Sequence, residues 1–96
     1  MTISTQDRFH DLALRIFPQP VQGLATITFR LDVAGPVRVT LVSALGSVAS
    51  LICEQQAFGS GLQTLTFDAS ILKQGMYLLC LQAAGLTAVR SLAIVH

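Results

Sequence analysis

From Leu24 to Leu31 apolar and polar residues alternate without a break: Ala25, Ile27, Phe29 and Leu31 fall on one face, Thr26, Thr28 and Arg30 on the other. A period of two is that of a strand with one face on a core. The same signature recurs, less cleanly, over Leu12–Phe17, Val37–Ser43, Ser47–Glu54, Leu62–Phe67, Met76–Ala83 and Leu86–Val95. Turn formers separate these runs: Pro18-Gln19-Pro20, Asp32–Pro36, Ala44-Leu45-Gly46, a loop over Gln55–Gly61, and Ala84-Gly85. Helical periodicity is absent apart from one turn over Ala69–Lys73. Seven short strands at this spacing predict an all-β domain, a seven-stranded immunoglobulin/fibronectin III-like Greek-key β-sandwich. In that layout strands one, two and five form one sheet, and strands four, three, six and seven the other.

The segment that organises the fold is Phe67-Asp68-Ala69-Ser70-Ile71-Leu72-Lys73-Gln74-Gly75-Met76-Tyr77, read as a corner between the two sheets. Asp68 and Ser70 are expected to turn their side chains onto nearby backbone N–H groups, Ile71 and Leu72 to cap the core, and Gly75 to take a backbone angle closed to other residues. Tyr77 is expected to place its ring in the core and return its hydroxyl to backbone just upstream, as a tyrosine corner does.

Composition narrows the function. The chain has 96 residues, enough for one domain, with 52% hydrophobic residues and a net charge of +1. Its basic residues are scattered, which gives no stripe for nucleic acid. Met1–Asp11 has no useful period and reads as a linker or vector-derived residues, leaving Leu12–His96 as the domain. Met1–Asp11 also lacks the apolar centre of a secretory signal, so a signal peptide is expected upstream in a longer protein. The two cysteines, Cys53 on strand four and Cys80 on strand six, would flank strand three at roughly 9.5 Å. A disulfide needs Cα atoms within about 7 Å, so two free, largely buried thiols are expected.

Catalytic chemistry finds no foothold. His10 and His96 lie at the two ends, the acids Asp7, Asp11, Asp32, Glu54 and Asp68 fall on separate turns, and no nucleophile, phosphate-loop or Cys-x-x-Cys spacing occurs. No catalytic residue, cofactor or metal site is expected.

Three landmarks stand in order: Pro18-Gln19-Pro20, then Phe67-Asp68-Ala69-Ser70 leading to Gly75-Met76-Tyr77, and a β-rich end reaching His96. With Val39-Thr40-Leu41-Val42 leading into the Gly46 hairpin, they resemble the C-terminal sorting domain of type IX secretion cargo proteins over Leu12–His96. Gln19 stands where family members usually carry Asn, Met76–Cys80 is more apolar than the family's version, and the last strand has Arg90 but no lysine.

The resemblance implies a non-catalytic C-terminal signal that directs an attached N-terminal cargo protein through the type IX translocon of the outer membrane. A surface sortase would then remove it by cutting before Leu12. The protein would be exported to the periplasm and reach the cell surface or be secreted. By the same resemblance the recognition positions are Pro18, Gln19, Pro20, Gly75, Tyr77, Val89, Arg90, Leu92, Ile94, Val95 and His96. The alternative is an immunoglobulin-like structural or interaction module, as in flagellar hook-capping proteins or adhesive accessory domains. The last strand, if a sheet edge, could also pair with a second copy.

Overall fold

The computed structural model describes residues 12–96. They form β1 (Arg15–Phe17), β2 (Leu24–Leu31), β3 (Gly35–Ser43), β4 (Val48–Phe58), β5 (Gly61–Asp68), β6 (Gly75–Ala83) and β7 (Leu86–Ile94), with no helix among them. One sheet has the order β1-β2-β5 and the other β4-β3-β6-β7, every neighbouring pair antiparallel. The sheet membership is the one expected of an immunoglobulin or fibronectin-like layout.

Alternation decides what lies between the sheets. Ala25, Ile27, Phe29 and Leu31 of β2 are buried, as are Val37, Val39 and Leu41 of β3 and Tyr77, Leu79, Leu81 and Ala83 of β6. From β7 come Ala88, Leu92 and Ile94, and no polar or charged side chain is buried among the described residues. Each large aliphatic or aromatic side chain taken out of water contributes about 1.5–3 kcal/mol. The only side-chain polar atoms in that core, the Tyr77 hydroxyl and the Cys53 thiol, each bond a backbone carbonyl.

Several boundaries moved. The first strand is only Arg15–Phe17, because Leu12 and Ala13 adopt φ of 56° and 52° and form a turn. The expected loop over Gln55–Gly61 is mostly strand: β4 continues to Phe58, with Gln55 at φ 54° where the β3–β4 register shifts. Such a bulge lets an edge strand bend while pairing continues, a distinction invisible in a polar Gln-Gln run. Phe58 packs its ring edge-on against Phe29 at 5.4 Å, which ties the strand end to the core. Gln63 then caps the crossing from β4 to β5, its side-chain amide donating to the carbonyls of Gly59 and Ser60 at 3.0 and 3.1 Å.

Cys53 and Cys80 are both free. Cys53 pairs with inward-facing Val39 and is buried, whereas Cys80 pairs with Thr40 on the outer face and is only half-buried. The expectation of two largely buried thiols therefore holds for Cys53 alone. The two also point to opposite faces of the sheet, a second obstacle to a bridge besides the intervening strand.

Candidate recognition site

The corner between β5 and β6 is built by local side-chain bonds. Asp68 accepts from the Ser70 N–H at 2.9 Å, and the Ser70 backbone and hydroxyl hold its carboxyl below the usual carboxylate range. Ala69 is fully buried and donates its N–H to the Gly23 carbonyl at 2.8 Å; the Leu72 N–H closes a turn onto Ala69 at 3.0 Å. Ala69 and half-buried Leu72 cover this end of the core. Ile71, expected to share that task, is 87% exposed, because the turn points it outward. Gly75 has φ 153° with no atom near the position a Cβ would take, so the backbone angle alone demands glycine there. Tyr77 is buried and its hydroxyl donates to the Lys73 carbonyl at 2.5 Å, the hydroxyl-to-upstream-backbone bond expected of it.

The end of the chain meets this corner. Gly75, Met76 and Tyr77 pair with Ile94, Ala93 and Leu92. Beyond β7 the His96 N–H donates to the Gln74 side-chain oxygen at 3.3 Å, and the His96 ring Nε2 donates to the Leu72 carbonyl at 2.5 Å. The first landmark arrives from the other edge of β7. Phe17-Pro18 and Gln19-Pro20 are cis bonds, and after the exposed Pro18, Gln19 and Pro20 the fully buried Val21 lies parallel to Ile94. Its N–H donates to the Ala93 carbonyl at 2.8 Å, and its carbonyl accepts from the Val95 N–H at 3.0 Å. The proline connector, the corner and the tail, far apart along the chain, are thus bonded together at one pole of the sandwich.

Individual positions differ in what they present. Leu92 and Ile94 are core residues, while Val95 and Arg90 are half-buried and Val89 is 43% exposed. Val89, Met76 and Leu78 are exposed together on the outer face of the four-stranded sheet, with Cys80 half-buried among them. The Arg90 guanidinium donates to the carbonyl of Val89 at 3.0 Å. β7 is an edge, but Val21 already occupies its Ala93 and Val95 positions. Val21 thus takes up part of the edge that strand addition would need. Val21 escaped the sequence reading because one apolar residue after prolines carries no period.

The described residues contain no group of three or more His, Cys, Asp or Glu able to hold a metal ion. Cys53 donates its thiol to the Val37 carbonyl at 3.6 Å, and burial pushes its pKa up, the opposite of what a nucleophile needs. His10, Asp7 and Asp11 lie outside the described residues.

A family model described as the Secretion system C-terminal sorting domain matches residues 15–95. The chain belongs to that family. A search of the curated proteins found no match. The family is that of type IX secretion sorting signals, whose members act in targeting and not in catalysis, and it carries with it export to the cell surface or beyond. Apart from His96, one position beyond the match, the three landmarks of this sorting domain fall inside the matched residues, at the pole where they are bonded to one another.

Proposed function

We propose that this sorting domain acts as a folded address: its N-terminally attached cargo enters the periplasm, is carried through the type IX translocon, and is released when a surface sortase cuts before Leu12. The observation that carries this reading is the convergence of Pro18-Gln19-Pro20-Val21, Gly75–Tyr77 and Ala93–His96 at one pole, all but His96 inside the residues that match the family. A receptor that reads all three at once reads a surface that exists only when the domain is folded. The exposed members, Pro18, Gln19, Pro20, Val89 and His96, then supply contact. Gly75, Tyr77, Leu92 and Ile94 supply the shape. The strand order supports the immunoglobulin/fibronectin III-like Greek-key arrangement for that shape.

Attaching Leu12–His96 to a periplasmic reporter in a host with the type IX machinery tests this. The reporter should reach the surface, and replacing Pro18, Gln19 and Pro20 together should retain it in the periplasm with the domain still folded. A folded domain that leaves its reporter in the periplasm counts against the reading.

A further inference from the structure

We propose that Met76 and the two shallow clefts beside it form a docking site for a protein partner of the sorting machinery, one that lays two apolar side chains onto the outer face of the four-stranded sheet. Met76 is 55% exposed on that face, where it pairs with half-buried Ala93. It borders both clefts. The first, of about 250 Å³, is lined by Ala44, Met76, Tyr77, Leu78 and Ser91. The second, of about 330 Å³, is lined by Gln74, Gly75, Met76, Ala93, Ile94 and Val95. None of these residues is charged, and the Tyr77 hydroxyl is already bonded to the Lys73 carbonyl. What such clefts can take is uncharged and apolar. Methionine suits their shared wall, because its unbranched thioether repacks around an incoming group. The apolar surface continues beside the first cleft: Leu45, at the tip of the hairpin after Ala44, is 94% exposed, and Val48, which pairs with Val42, is exposed too. A hairpin tip ordinarily carries polar residues, so an apolar one there has a solvation cost that a partner would remove.

The site rests on the sorting reading and extends it, since Gly75 and Val95 of the proposed recognition pole form part of the second cleft. A receptor holding that pole meets Met76 by continuing along the same surface. A bilayer is a poorer occupant: peripheral attachment draws on Lys and Arg around the apolar group, and neither lines the clefts. A second copy is poorer too. Apart from Ala44, the clefts span Gln74–Leu78 and Ser91–Val95 on two neighbouring strands. That is a plate of roughly 10 by 16 Å. It falls far short of the about 800 Å² per partner that a stable dimer needs. A receptor makes up the difference on the proline connector and the chain end.

Export and self-association of the full 96-residue chain test the site. Attached to a periplasmic reporter in a type IX host, Met76→Ser should lower surface delivery about fivefold or more, as loss of a central interface residue does. Ser91→Phe adds apolar area but fills the first cleft, and should lower delivery as well. Urea midpoints should show both variants folded. Val33→Ser and Leu62→Ser remove comparably exposed apolar groups at the far pole and should leave delivery unchanged. Undiminished delivery of either folded variant overturns the proposal, and Ser91→Phe decides should Met76→Ser unfold the domain. A dimer of the unaltered chain in analytical ultracentrifugation that Met76→Ser dissolves overturns it too, by assigning the face to a second copy. So does Met76-dependent binding to vesicles of phosphatidylethanolamine and phosphatidylglycerol, which would assign it to lipid. An unaltered fusion that stays in the periplasm overturns the sorting reading and this one with it. Delivery of the unaltered fusion with no effect of the two substitutions overturns this one alone.

Discussion

Over its C-terminal half, β7 is paired on both sides: Gly75–Tyr77 of β6 bond one edge, Val21 bonds the other, and His96 fastens the end to Leu72 and Gln74. From Thr87 to Ser91 the same strand is bonded by β6, and the Arg90 guanidinium donates to the Val89 carbonyl. Both halves alternate, and the pairing to β6 runs without a register shift through both. They differ in how far their side chains and backbone are held by the rest of the described chain. A half paired on two sides and rooted in the core can be changed only at the expense of the fold. The other half exposes Thr87, Val89 and Ser91, where a side-chain contact can be lost without unfolding.

The largest effect belongs to the clamped half. Ile94→Ala or Leu92→Ala should destabilise the domain by about 2–4 kcal/mol, the range for emptying a buried aliphatic site, read as a lower urea midpoint. Export should fall in step with the folded fraction. An unchanged midpoint would mean that this half is not part of the core. Tyr77→Phe keeps the ring and removes only the bond to the Lys73 carbonyl, so a loss of about 1 kcal/mol is expected by the same measurement. A loss as large as that of Ile94→Ala would show that the hydroxyl holds more than the corner.

In the open half, Val89→Ser should shift stability by no more than about 0.5 kcal/mol, as substitutions at exposed positions generally do. Its expected consequence is reduced export from a fully folded domain. Destabilisation comparable to Ile94→Ala would erase the distinction between the halves.

The smallest effect is the pH dependence of the corner. The Asp68 carboxyl is held below its ordinary value in the folded state. Its contribution is therefore fully present above the unfolded carboxylate pKa near 4 and is lost as pH falls through the lower folded value. Thermal midpoints of the wild-type chain and Asp68→Asn should differ at neutral pH and converge in acid. A difference that persists in acid would remove the Asp68–Ser70 bond as its cause.

Much of the architecture was legible because burial on one face imposes a period that survives in the residue order. The inward sets of β2, β3 and β6 and the hydroxyl bond of Tyr77 follow from alternation and turn chemistry alone. The errors share one origin. Gln55–Phe58 carries no apolar signal, yet it pairs, because a bulge preserves backbone bonds whatever the side chains are. Ile71 is apolar, yet the turn directs it outward.

What the residue order determined by itself is the number of strands, the face each turns to the core and the chemistry of the corner, since all three are set by neighbours within a few positions along the chain. The tertiary structure alone decided that Val21 would sit beside Ile94, that His96 would reach Leu72, and that the two cysteines would face opposite ways. Those outcomes depend on backbone groups and strand order, and the hydrogen bonds that create them are made by atoms every residue carries.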